Sequence, residues 1–213
     1  EAFNAAVTNH LISRNPSSNI VVKNDNLVSE RVVMTDEQQM QFLNIAKYRY
    51  YSEVYQILLS TGMRIGEALV LDYDKDIDLE NRKIYIRRTQ TKDNNGKAII
   101  GNTTKTNTGQ RILNMNNIIY QIIQGALEHK IDNKEHLLFC KEDRTMYVEN
   151  SINSSLKRIA LDLDIGIYEE ENTKGQVVKK TDIHTHMLRG TFATRCAEAK
   201  IAPAVLKKIL GHT

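Results

Sequence analysis

The chain predicts an α+β fold, mainly helical with a small three-stranded antiparallel sheet, and the pattern of its apolar residues is the reason. Apolar side chains recur at three- and four-residue spacing along most of the sequence, whereas one internal stretch, Ile77 to Met115, switches to alternation. A hydrophobic content of 41% in 213 residues is enough for one sizeable core.

Glu1 to Ile12 carries Phe3, Ala6, Val7 and Leu11 at helical spacing and is stopped by Ser13-Arg14-Asn15-Pro16. It has no partner of its own, so residues 1–14 read as the last helix of a truncated preceding module. Residues 15–34, polar and asparagine-rich, read as a linker, and 35–213 as the main domain. Thr35 and Gln38 have capping-box spacing and open a helix over 36–49. A second helix runs from Tyr51 to Ser60 with Val54, Leu58 and Leu59 inward, ends at Thr61-Gly62, and is followed by another over 64–71. Alternation in Lys83-Ile84-Tyr85-Ile86-Arg87, with turn signals at Asp93-Asn94-Asn95-Gly96 and Asn107-Thr108-Gly109, predicts the three strands. Helices return at 117–130 and 149–163, each with an apolar stripe that reads as core. Residues 166–181 read as an exposed hairpin or loop insertion. Two last helices cover 186–199 and 203–210, with Pro203 in the first turn and Gly211 as the stop.

Charge is more informative in its distribution than in its sum of +3. Residues 81–111 hold Arg82, Lys83, Arg87, Arg88, Lys92, Lys97, Lys105 and Arg111 against Asp93 alone, a local charge of +7. Just before it, residues 67–80 carry six acids and one lysine. A polyanion would feel the basic segment strongly; a solvated lysine-rich strand face is the other reading. Cys140 and Cys196 form no C-x-x-C pair, so neither a disulfide framework nor a zinc site is expected. No apolar run approaches the roughly 20 residues of a membrane span and no signal peptide is visible, so the chain reads as cytoplasmic without a membrane partner.

Two runs carry chemistry. His186 and Arg189 place an imidazole and a guanidinium in one helical stretch, with His212 following: the fork of an arginine matches two phosphate oxygens, and a histidine moves protons near neutrality. Surface or capping roles are the alternative for such a pair. In Thr61-Gly62-Met63-Arg64-Ile65-Gly66-Glu67, two glycines at a helix start imply a close approach that a larger residue would block. Arg64 there is either a ligand-binding group or a surface arginine paired with Glu67 one turn on.

Taken together, Ser60-Thr61-Gly62-Met63-Arg64-Ile65-Gly66-Glu67-Ala68-Leu69, Lys105-Thr106-Asn107-Thr108-Gly109-Gln110-Arg111, His186-Met187-Leu188-Arg189-Gly190-Thr191-Phe192-Ala193-Thr194 and Leu210-Gly211-His212-Thr213 resemble the catalytic domain of tyrosine recombinases, the phage integrase family, and more closely the integrases of bacterial conjugative transposons. The resemblance covers 35–213, and residues 1–19 look like the end of that family's core-binding domain. It implies the tyrosine recombinase catalytic fold and a site-specific DNA recombinase that cuts and rejoins strands through a 3′-phosphotyrosyl intermediate, for integration and excision of a mobile element. Arg64 and Arg189 would hold the scissile phosphate, His186 and His212 would bond it and assist proton transfer, Lys105 would protonate the departing 5′ hydroxyl, and Glu67 would support the site. Arg82, Arg87, Arg88, Lys92 and Arg111 are the expected DNA contacts. Neither cofactor nor metal is implied. The implied partners are double-stranded DNA at recombination sites, further copies in a homo-tetramer on DNA in the parent protein, and an accessory excision factor.

Two departures stand out. Gly190 occupies a position where the family very often has histidine, and the family's tyrosine lies a short way beyond the second histidine. None of the nine tyrosines holds that place, so the nucleophile is expected outside this chain, the catalytic domain to lack its C-terminal end, and the 213 residues to be inactive in any step that needs that tyrosine. A recombinase relative that binds DNA without cleaving it is the runner-up, and a type IB topoisomerase, which shares this chemistry, the third reading.

Overall fold

A computed structural model describes residues 2–18, 32–102 and 110–211. The chain divides into two units, Glu1–Glu30 and Arg31–Thr213. In the first, helix α1 spans Ala2–Thr8 and stops four residues before the expected Ile12, because the chain turns at His10 with φ +55°. The Asn15 side-chain amide then returns to Asn4 Oδ1 at 2.5 Å.

The second unit contains α2 (Asp36–Ala46), α3 (Ser52–Thr61), a single turn α4 (Ile65–Ala68), α5 (Asn117–Glu128), α6 (Glu149–Asp162), α7 (His186–Glu198) and α8 (Pro203–Leu210). The expected capping box starts α2: Thr35 Oγ1 accepts the Gln38 N–H at 3.1 Å and Gln38 Oε1 accepts the Thr35 N–H at 3.0 Å. Asn116 caps α5 with a single side-chain bond, accepting from the Ile119 N–H at 2.9 Å. Helix α3 is the core element. It buries Val54, Tyr55, Ile57, Leu58 and Leu59 and packs against α2, α5 and α7. A helix apolar on nearly every side can lie only inside a bundle. Tyr55 stitches that bundle: its ring meets Phe42 of α2 edge-on at 5.5 Å, and its hydroxyl donates to the Ile152 carbonyl of α6 at 3.1 Å. Each such side chain contributes about 1.5–3 kcal/mol by burial.

Strands β1 (Ile77–Asp78), β2 (Lys83–Ile86) and β5 (Arg111–Asn114) form an antiparallel sheet in the order β1-β2-β5, while β3 (Arg88–Lys92) and β4 (Ala98–Asn102) form a separate hairpin. The three-stranded antiparallel sheet expected between 77 and 115 is present, and the same stretch adds a two-stranded hairpin beside it that was not expected. The division follows the pattern of burial: Ile84, Ile86 and Leu113 point into the core, whereas β3, with Thr89, Gln90 and Thr91, has no buried residue. A third antiparallel pair, β6 (Ile167–Glu171) with β7 (Val177–Thr181), is the hairpin expected at 166–181. Cys140 and Cys196 are free thiols, and among the described residues no helix is long and apolar enough to cross a membrane.

Both glycines around Arg64 have steric reasons. Gly62 ends α3 at φ +63°, and a Cβ there would lie 2.2 Å from a Phe192 ring carbon of α7. At Gly66 a Cβ would lie 2.7 Å from Thr89 Oγ1 and 3.2 Å from the Gln90 carbonyl, so β3 passes directly over α4. Gly62→Ala combines left-handed backbone strain with overpacking and should lower stability by about 2 kcal/mol or more in urea titrations, whereas Gly125→Ala, facing open space within α5, should raise it by up to about 1 kcal/mol.

Candidate active site

The left-handed turn at Gly62 redirects the chain after α3 so that Arg64 stands at the head of α4. Glu67, 2% exposed, faces it from the end of that turn: its Oε2 accepts the Arg64 backbone N–H at 2.8 Å and its Oε1 accepts Arg64 Nη1 at 2.9 Å. The same carboxylate receives Arg111 of β5 in a two-pronged pair, Nη1 to Oε1 at 2.9 Å and Nη2 to Oε2 at 2.8 Å. Arg111 Nε donates to the Ile209 carbonyl near the end of α8, at 2.7 Å. Arg189, on the buried face of α7 and 4% exposed, donates from Nη1 to the Gly62 carbonyl and from Nη2 to the Leu210 carbonyl, both at 2.7 Å. These acceptors are the C-terminal ends of α3 and α8, where unsatisfied carbonyls concentrate partial negative charge.

Two guanidiniums thus pair with one carboxylate, and a third, that of Arg189, is near enough to feel all three charges, so the surplus is positive. Burial would raise the Glu67 pKa, but the donors from Arg111 and Arg64 outweigh it and hold the group below the ordinary 4.5. Burial, with Arg64 and Arg111 nearby, brings Arg189 down to about 10, so it remains a cation at neutral pH. The Arg64 side chain is 41% exposed and gives the cluster a face to solvent. A buried positive surplus that opens outward suits an anion able to accept several charge-assisted bonds, as a phosphodiester does.

His186 opens α7 three residues before Arg189, and its ring lies 6.1 Å from that of His184. Lys105 and His212 lie outside the described residues. A Cβ at Gly190 would meet Val33 at 3.6 Å, an ordinary contact, so sterics do not require glycine there. Tyr147 is packed edge-on against Tyr50 and Tyr51, with burial pushing its hydroxyl far above the usual phenol value. Tyr168 sits on the exposed β6–β7 hairpin. Among the described residues one group, Asp72, Asp74 and His136, brings metal-type ligand atoms within 4.8 Å of one another. Its Asp72 carboxylate already accepts the N–H groups of Asp74 and Lys75 and lies 3.4 Å from Arg88.

The basic segment differs most from its expectation. Arg111, read as a DNA contact, has a side chain only 6% exposed and points inward. The signal was present in the strand: Leu113 is buried and Ile112 exposed, so the alternation places Arg111 on the core face. Arg87 bonds Asp76 Oδ1 through Nε at 2.8 Å and through Nη2 at 2.5 Å. Arg88 donates to the Val70 carbonyl at 3.0 Å and lies 3.4 and 3.6 Å from Asp72 and Asp76. Arg82 bonds Asn117 at 2.7 Å and lies over the Tyr120 ring. The acidic block and the basic block, adjacent in sequence, fold onto each other. Lys92 and Lys97 stay exposed on the β3–β4 hairpin.

A phage integrase family model matches residues 32–213. The chain belongs to the phage integrase family. The transposase of transposon Tn916 from Enterococcus faecalis is 30% identical over 225 residues, 99% of this chain and 52% of that protein. Tyrosine recombinase XerA of Saccharolobus solfataricus is 30% identical over 184 residues, 86% of this chain and 49% of its own length. The chain thus spans about half the length of these curated relatives. Among solved structures, the Tn1549 transposon integrase in complex with a circular intermediate DNA superposes with a TM-score of 0.80 at 25% identity, covering 100% of this chain and 68% of that one. A lambda integrase tetramer bound to a Holliday junction shares the fold, with a TM-score of 0.62 at 15% identity over 100% of this chain and 55% of that one.

The buried pair makes two predictions. Arg111→Met leaves a 2% exposed carboxylate with half its donors and should destabilise by about 3–5 kcal/mol in denaturant titrations, with most of the loss recovered in Glu67→Gln/Arg111→Met. Because the folded pKa of Glu67 is depressed, its contribution is fully present above about pH 4.5 and is lost as pH falls through the folded value. Glu67→Gln should therefore flatten the acid limb of stability plotted against pH.

Proposed function

We propose that this chain is the phosphate-handling part of a site-specific DNA recombinase that breaks and rejoins strands for the integration and excision of a mobile element. One observation carries the proposal: Arg64 and Arg189, 125 positions apart in sequence, are brought to one positive cluster around Glu67, in a chain of the phage integrase family. The Tn1549 integrase structure, determined on DNA, supports double-stranded DNA as the substrate class.

In this reading Arg64 and Arg189 bond the non-bridging oxygens of the scissile phosphate. Those bonds strengthen as negative charge builds in the five-coordinate transition state, and a donor of this kind is worth about 10²–10³ in rate. A tyrosine attacks phosphorus, its phenolic proton passing toward His186 or His212; the bond to the 5′ oxygen breaks, and Lys105 protonates that oxygen. The 3′-phosphotyrosyl ester conserves the energy of the phosphodiester, and attack by a partner's 5′ hydroxyl reverses the step. Glu67 keeps Arg64 in place and does not touch the phosphate. The active assembly is a tetramer on two sites, directed by an accessory excision factor.

The chemistry can be tested without the tyrosine. A nicked duplex whose 3′ phosphate carries a 4-nitrophenyl ester beside a free 5′ hydroxyl presents the rejoining step directly: the 5′ oxygen attacks phosphorus, nitrophenolate leaves, and the strand is sealed. The chain should release nitrophenolate and seal the nick, and Arg64→Ala or Arg189→Ala should each slow release at least about 100-fold. Binding without release would leave a DNA-binding protein and overturn the catalytic reading. A second measurement concerns the surface. Since Arg87 and Arg88 are held by Asp72 and Asp76, Lys92→Gln/Lys97→Gln should lower the salt slope of DNA binding by about 0.9 for each phosphate these lysines neutralise, more than Arg87→Gln/Arg88→Gln does.

A further inference from the structure

We infer that Arg111 is a positioning residue of the phosphate clamp, locking the Glu67 carboxylate that holds Arg64 and tying it to the end of α8, and that it makes no contact with DNA. The inference rests on the proposed catalytic function for what the clamp does, and on the geometry for how Arg111 serves it.

A guanidinium can satisfy a carboxylate with two parallel bonds only from one direction in one plane. Arg111 does so at 2.9 and 2.8 Å, which fixes the plane of Glu67. With that plane fixed, one carboxylate oxygen faces the Arg64 backbone N–H and the other its Nη1, so the main chain and the side chain of Arg64 are both set by a group that Arg111 orients. Without it, Glu67 can rotate about its terminal torsion, which is broad and offers little resistance. The third donor of Arg111, Nε, takes the Ile209 carbonyl at 2.7 Å, one residue before the Leu210 carbonyl that Arg189 takes. Gly211 follows at φ +66°, and a Cβ there would come within 2.9 Å of Arg111 Nη1. A Cβ there would push that guanidinium off its bonds, and the left-handed φ itself favours glycine in Leu210-Gly211-His212. Arg111 and Arg189 together hold the end of α8 to β5, to α7 and to the α3–α4 turn, the four segments that carry the recognised motifs.

Two variants in the full 213-residue chain test this with the nitrophenyl-ester duplex. Arg111→Lys keeps the charge but cannot make all three bonds. Glu67→Gln/Arg111→Met removes the pair without changing net charge or leaving a buried carboxylate. For both, the rate at saturating duplex should fall at least tenfold, while the dissociation constant changes by less than about threefold and the salt slope of binding stays that of the unmodified chain. A slope shallower by about 0.9 in the double variant would place Arg111 on a DNA phosphate and overturn the inference. A full rate in the double variant would reduce the pair to a folding element and also overturn it. Failure of the unmodified chain to release nitrophenolate removes the catalytic reading and the positioning role with it; release by the unmodified chain with undiminished variants removes the positioning role alone.

Discussion

A carboxylate buried to 2% exposure, Glu67, is the constraint around which the rest of the second unit is arranged. A buried charge is tolerated only when it is paired and its lone pairs are filled, and here four hydrogen bonds come from two arginines on different elements. The arrangement makes the head of α4, strand β5 and, through Ile209, the end of α8 mutually dependent. None of the three can shift without breaking a bond to the buried carboxylate or to Arg111. Such rigidity suits a site whose groups must be in place before charge develops on a ligand.

Arg189 obeys the same logic with backbone in place of a carboxylate. Two helices end in left-handed glycines, Gly62 and Gly211, and their terminal carbonyls converge on its two amino groups. A guanidinium wedged between two helix C-termini is stabilised as a cation although burial pulls its pKa down to about 10. The glycines permit this because residues with a Cβ would be strained at φ +63° and +66° and would meet Phe192 in one case and Arg111 in the other. Motif glycines and motif arginines therefore form one steric and electrostatic unit.

Charge in the folded chain is distributed differently from charge along the sequence. The acidic stretch preceding β2 supplies Asp72 and Asp76, which hold Arg87 and Arg88, and Glu67, which holds Arg111. These pairs organise the loop between α4 and the sheet and leave the exposed lysines of the β3–β4 hairpin as the less encumbered part of the positive field. A local charge summed over sequence overestimates what a polyanion meets, because opposite charges close in sequence are also close enough to pair in space.

Local sequence pattern indicated most of the helices, the capping of α2, an exposed hairpin or loop insertion at 166–181 and the close approach at Gly62 and Gly66, because these depend on residues near one another in the chain. Arg64, Glu67 and Arg189, singled out by the motif runs, are near one another in the fold. Separation of the β3–β4 hairpin from the β1-β2-β5 sheet, the inward turn of Arg111 and the neutralisation of Arg87 and Arg88 were decided only by tertiary structure. Strand partners, and the partners of a long charged side chain, are chosen by which surfaces the core brings together. The residues that join Arg111 to Glu67 and Ile209 stand 44 and 98 positions away in the chain, a separation over which local pattern carries no information.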